Sequence, residues 1–161
     1  MHWNKVVVGF ALGVSLVGCG AGEEERKGVP TPEGETPALL RSAACERGLP
    51  QVLTGTVVLP ELPAGAAATP VRITLEDVSL QDAPSVQLAL AQAPVPLARA
   101  LTFALCADLS GVDARAFLDV RAHVDHDGDG AISRGDGLST RSHPVITRGY
   151  PSTVTVEVER I

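Results

Sequence analysis

The sequence predicts an all-β fold: a compact antiparallel β-sandwich of about seven strands, preceded by a targeting segment and a disordered tether. Three observations predict it. From residue 51 onward apolar and polar residues alternate with period two, the signature of half-buried strands. Proline and glycine interrupt that alternation about every ten to fifteen residues, the spacing of a small all-β domain. The core must be Val, Leu and Ala, because only five of 161 residues are aromatic and two of these, Trp3 and Phe10, stand in the first ten positions.

Strands are expected at 51–59, 71–77, 86–91, 100–105, 117–124, 138–142 and 153–160. Leu118, Val120, Ala122 and Val124 alternate with Asp119, Arg121 and His123, so one face of that strand is core and the other polar. Val154, Val156 and Val158 alternate in the same way with Thr155, Glu157 and Glu159. Prolines 60, 63, 70, 84, 94, 96, 144 and 151 fall between these strands or at their ends, where a missing N–H costs the ladder nothing. The Ala-rich piece 38–46 suits one or two helical turns, stopped by Gly48 and Pro50.

Residues 1–18 have a short polar start carrying Lys5, an apolar run from Val6 to Val17, and small residues at the end. The run is too short to span a bilayer, which needs roughly twenty apolar residues. Its end, Leu16-Val17-Gly18-Cys19, resembles the lipobox of bacterial lipoproteins, the alternative being an ordinary secretory signal. The resemblance implies that Cys19 becomes the first mature residue, carrying a thioether-linked diacylglycerol and an amide-linked acyl chain such as palmitate. Several acyl chains together make attachment effectively stable. Gly20 rather than Asp after the cysteine is similar to the pattern that sorts lipoproteins to the outer membrane. Residues 19–37 are rich in Gly, Pro and Glu, include Glu23-Glu24-Glu25, and read as a disordered tether before the domain at 38–161.

Beyond Cys19, Cys45 and Cys106 remain, an even pair in an exported protein, where disulfides persist. Two buried thiols or a metal pair are the alternatives. No third or fourth thiolate and no convincing histidine ligand completes a zinc set, which favours the disulfide.

Gly55-Thr56-Val57, the run Leu75-Glu76-Asp77-Val78-Ser79-Leu80-Gln81-Asp82-Ala83-Pro84, and Pro144-Val145-Ile146-Thr147-Arg148-Gly149 carry a family resemblance. Over roughly residues 51–161 the chain resembles the YbaY-type lipoproteins, which are related to the YscW-type pilotins of type III secretion. The resemblance implies an antiparallel β-sandwich lipoprotein without catalytic residues. For the pilotin branch it implies help in placing a secretin in the outer membrane. Read from the residues alone, Asp77 and Ser79 close a turn by bonding their own backbone.

The segment 125–136 carries the sharpest chemistry. Asp125, Asp127, Asp129 and Asp136 occupy positions 1, 3, 5 and 12 of a calcium loop, Gly130 supplies the turn at position 6, and Ile132 stands at position 8. Ala131 offers a carbonyl and Ser133 can hold a bridging water, so calcium is the expected cofactor. Asp rather than Glu at position 12 resembles dockerin-type loops, and the flanks read as strands where a calcium sensor has helices. The alternative is a Gly/Asp-rich hairpin without an ion. His123, His126 and His143 read as surface residues, with a His123/His126/Asp transition-metal site as a further alternative.

Thirteen basic against nineteen acidic residues give a net charge of −6 without any basic cluster, which leaves nucleic acid no electrostatic footprint. Gly-x-Ser-x-Gly, His-Glu-x-x-His and a phosphate-binding glycine loop are all missing from the sequence. The expected function is therefore non-enzymatic. It is a lipid-anchored envelope protein that attaches to the membrane through its acyl chains and binds an envelope partner of secretin type, as an assembly or binding factor. The alternative is a passive structural or surface lipoprotein with a calcium-stiffened hairpin.

Overall fold

Strands whose apolar side chains all point one way must bury that face against a second layer. The computed structural model describes residues 39–59, 68–96 and 99–161. The expected signal at 1–18, the tether at 19–37 with Cys19, and prolines 60 and 63 lie outside the described residues. The chain forms β1 (Leu39–Arg41), α1 (Ala43–Glu46), β2 (Gln51–Val58), β3 (Thr69–Asp77), β4 (Val86–Val95), β5 (Ala100–Cys106), β6 (Leu118–Val124), β7 (Gly137–Leu138), β8 (Thr153–Glu157) and β9 (Glu159–Arg160). One sheet has the order β1-β5-β2-β8 and the other β4-β3-β6-β7-β9.

Leu53, Val57, Phe103, Leu105 and Val156 of the first sheet meet Val71, Ile73, Leu75, Val120 and Val124 of the second in one buried core. Leu118, Val120, Ala122 and Val124 are all buried, as their alternation requires. Phe103, the one aromatic among the core residues, is accommodated by Gly55, its cross-strand partner on β2. A Cβ at Gly55 would lie 2.6 Å from the ring and 2.3 Å from the Val154 carbonyl oxygen.

The architecture departs from the expectation in three places. First, the sandwich is mostly antiparallel, but β1 pairs with β5 and β8 with β2 in parallel. The 38–46 piece supplies β1 as well as the short helix, because α1 carries the chain over the end of β5 so that β1 and β2 flank it. Second, the strand expected at 138–142 shrinks to β7, since Ser139 turns its hydroxyl to accept the Ala122 N–H at 3.0 Å. Third, the strand expected at 153–160 divides at Val158. β8 stays in the first sheet and β9 joins β7 in the second, while the Val158 N–H donates to the Val58 carbonyl at 3.1 Å.

Cys45 and Cys106 form the disulfide, with Cα atoms 5.0 Å apart and a sequence separation of 61. It fastens α1 to the last residue of β5. Buried Ser42 reinforces the joint: its amide donates to the Ala104 carbonyl and its hydroxyl accepts the Cys106 N–H, at 3.0 and 2.9 Å.

The registers define two ends. Leu39, Val58 and Ala100 share one end of the first sheet. The Val158–Val58 bond and the Val124↔Gly137↔Arg160 ladder bring the end of β6 to that side. Asp77, Val86 and Leu118 lie at the opposite end of the second sheet.

Candidate functional site

At the end of β6 the chain leaves the sheet into the loop 125–136, anchored where the Asp125 N–H donates to the Pro70 carbonyl at 3.0 Å. Gly128, Gly130 and Gly135 adopt positive φ of 77°, 78° and 106°, which lets successive amides turn inward. Asp125 accepts the N–H groups of Gly128 and Gly130 at 2.7 and 2.9 Å. Asp136 accepts those of His126 and Ser133 at 3.0 and 2.9 Å, and its Oδ2 lies 3.1 Å from His123 Nε2. Asp127 accepts the Ser133 hydroxyl at 3.1 Å, and Asp129 takes the Ala131 N–H at 2.7 Å.

Of the residues expected to hold calcium, the structure gathers Asp125, Asp127 and Asp136, whose carboxylates offer oxygens within 4.8 Å of one another. Asp129 stands outside that trio, exposed on the loop. Ser133 braces two of its members, and Ala131 is exposed beside Asp129. An all-oxygen set of this kind suits a hard cation. Burial works to raise the Asp136 carboxyl, but the amides of His126 and Ser133 and the His123 ring outweigh it and hold it at about 2. Burial likewise opposes ionisation of Asp125, and the amides of Gly130 and Gly128 hold it below the usual carboxylate range.

His123 corrects the surface reading. It is 8% exposed because β7 pairs Leu138 against it and the loop brings Asp136 onto its ring. His143 is half-buried, with Nδ1 left without a partner. Among the described residues the metal-capable group contains carboxylates only, so the His123/His126/Asp set is not assembled. Sequence spacing reaches the carboxylates but not His123, whose burial depends on a strand that returns with Leu138 fifteen residues later.

The two longer motifs meet at the opposite end. Ser79 donates its N–H and hydroxyl to Asp77 Oδ1, the turn expected for this pair, and the same hydroxyl accepts the Phe117 N–H at 2.9 Å. Val78 donates to the Phe117 carbonyl at 2.8 Å, and Thr147 Oγ1 to the Ala116 carbonyl at 2.8 Å. Arg148 lays its guanidinium over the Phe117 ring, 3.6 Å from the centroid, and its Nε donates to the Arg115 carbonyl. Ile146 and Arg148 hold φ of 67° and 57°, a region costly for side chains other than glycine. Sequence reasoning passed over Phe117 and Arg148 as sites, although Arg148 falls inside a motif it singled out.

No curated protein sequence matches the chain. Among solved structures it is similar to an alternative pilotin from the type II secretion system of Vibrio cholerae. The identity is 26%, the TM-score 0.57, and the match covers 68% of this chain and 95% of that one. Residues 50–158 match the family described as the type III secretion system lipoprotein chaperone YscW. That is the pilotin family to which the resemblance read from the motifs is related. With most of the β-sandwich inside the matched span and a pilotin sharing its fold, the chain belongs to the YscW family of secretion lipoprotein chaperones.

Proposed function

We propose that this protein is a non-enzymatic, lipid-anchored pilotin-like factor of the outer membrane that binds a secretin-type partner and assists its assembly. The observation that carries this reading is the family match over residues 50–158, supported by 26% identity to a pilotin across 95% of its length. The Cys19 lipobox supplies the anchor: a dozen apolar residues are too few to span, whereas several acyl chains hold a protein at a bilayer. Changing Cys19→Ser is expected to move the protein from the membrane to the soluble fraction; unchanged membrane association removes the anchor from the reading. Deleting the gene is expected to lower the amount or correct placement of a multimeric envelope complex. Turnover of a small molecule at a defined site by the purified chain overturns the assignment.

A second reading concerns the loop. The convergence of Asp125, Asp127 and Asp136 favours calcium as a stiffener of the hairpin between β6 and β7. These three would hold the ion, with Asp129, the Ala131 carbonyl and Ser133 completing the oxygen set. The bound ion would supply charge neutralisation, not catalysis. It stabilises the folded state without switching it.

A further inference from the structure

The end of the sandwich built from residues 77–86, 115–118 and 144–150 presents hydrophobic surface that the core does not use. Leu80 is 71% exposed, and Phe117 and Tyr150 are each 42% exposed. Backbone bonds bind the three segments into one rim: Val78 to Phe117, Phe117 to Ser79, and Thr147 to Ala116. Arg148 is held against this rim by its stacking on Phe117 and its bond to the Arg115 carbonyl. Both contacts leave the terminal guanidinium nitrogens free to donate to a further group. Neither Arg148 nor Arg115 has an ion-pair partner among the described residues. Of the nearby carboxylates, Asp77 accepts from Ser79 and Asp113 accepts the Arg115 amide at 2.7 Å, while Asp82 is exposed.

Resting on the assembly role proposed above, we infer that this rim is the docking surface for an acidic segment of the polypeptide partner, whose apolar side chains cover Leu80, Phe117 and Tyr150 and whose carboxylate meets Arg148. Two observations favour a protein over a lipid surface. Leu39, where the described chain begins, lies on the side of the sandwich opposite Leu118 and the rim. The rim also combines two aromatic side chains with a pre-positioned arginine, the residue types that dominate binding energy in protein interfaces. A carboxylate meeting Arg148 forms a charge-assisted pair beside apolar contacts that exclude water.

The test uses the full lipidated chain co-produced with the outer-membrane secretin of the same cell. Arg148→Gly removes the guanidinium at a position whose φ of 57° glycine adopts freely, so the fold is retained while the pair is lost. Leu80→Asp places a carboxylate on the apolar rim. Each is expected to lower co-purified secretin about tenfold, the loss typical of an interface anchor, with the melting temperature maintained. A photo-crosslinker at position 80 or 150 is expected to join an acidic segment of the secretin, and one at position 157 on β8 is not. Secretin that co-purifies undiminished with both variants, or crosslinks from 157 alone, overturns the rim while leaving the assembly role intact. If the wild-type chain carries no secretin, the assembly role fails. The rim then stands only if crosslinks from 80 identify an acidic segment of another envelope protein that Arg148→Gly releases. Crosslinks to phospholipid, or none, overturn it.

Discussion

Gly55→Ala tests whether the two sheets pack as described, because one added methyl group meets two different kinds of neighbour. Gly55 lies on β2 between Phe103 of β5 and Val154 of β8. Its new Cβ would sit 2.6 Å from Phe103 Cζ and 2.3 Å from the Val154 carbonyl oxygen. The ring is a side chain and can tilt, at some loss of core packing. The carbonyl is backbone, so β8 itself must move away from β2 and stretch a parallel ladder of five registered pairs. Overpacking of this kind costs about 1–3 kcal/mol. Replacing glycine returns only about 0.5–1 kcal/mol through the unfolded chain. A clash with backbone puts the outcome toward the upper part of that range, about 2 kcal/mol net, or roughly 8 °C in melting temperature for a domain of this size. Thermal unfolding followed by circular dichroism measures it. Adding Phe103→Leu is expected to recover part of the loss beyond additivity, since it relieves the ring contact and leaves the carbonyl contact in place. A Gly55→Ala protein as stable as the wild type would refute the placement of β8 against β2.

Cys45→Ser is expected to lower stability by about 4 kcal/mol in the chain-entropy model, because the bond closes a loop over 61 residues; reduction of the wild type should reproduce the effect. With a dissociation constant of about 10⁻⁴–10⁻³ M, ~10 mM calcium should stabilise the protein by roughly 1.4–2.7 kcal/mol. EDTA should reverse that gain, Asp127→Ala should abolish it, and melting that ignores both reagents reduces the loop to a polar hairpin. In EDTA, Asp136 should make the protein acid-sensitive. Its folded carboxyl lies at about 2 against 3.8 in the unfolded chain, so its stabilisation is complete above pH ~4 and is lost as the pH falls toward 2. Asp136→Asn should flatten that part of the stability profile, and an unchanged profile counts against the bonds that the His126 and Ser133 amides make to Asp136.

Period two identifies which face of a strand is buried, but it is silent about which strand lies beside it. For that reason the alternation at 118–124 and at 153–158 translated directly into core residues, whereas the parallel pairings did not. β1 has three residues, too few to show any period, and it exists because β5 offers it a ladder. The stretch 138–142 carried enough alternation to suggest a strand. Ser139 then competes for the Ala122 backbone with its own hydroxyl and ends the ladder after two residues. Local chemistry was more legible: the turn at Gly130, the Asp77–Ser79 turn and the convergence of three of the four expected loop aspartates follow from residue spacing. His123 escaped because burial of a polar strand face requires a distant segment to fold over it.

Backbone strain separates the structural from the functional part of the 144–150 loop. Ile146 is β-branched and holds a φ of 67°, which on its own costs on the order of 1–3 kcal/mol. Its side chain is partly buried and packed against the core, and its N–H donates to the Pro151 carbonyl, so packing and hydrogen bonding offset that cost. Arg148 holds a φ of 57° with an exposed side chain. What it gains within the domain is one stacking contact with an aromatic ring that is itself 42% exposed, and one bond to a carbonyl. An exposed cation–π contact contributes about 0.5–1 kcal/mol. Glycine at 148 would make the same turn without strain, so stability of the isolated domain is a poor reason for arginine there. Fixing a guanidinium beside Phe117 before a partner arrives removes the entropy of ordering it at binding. The strain at Arg148 therefore belongs with recognition, and the strain at Ile146 with the core.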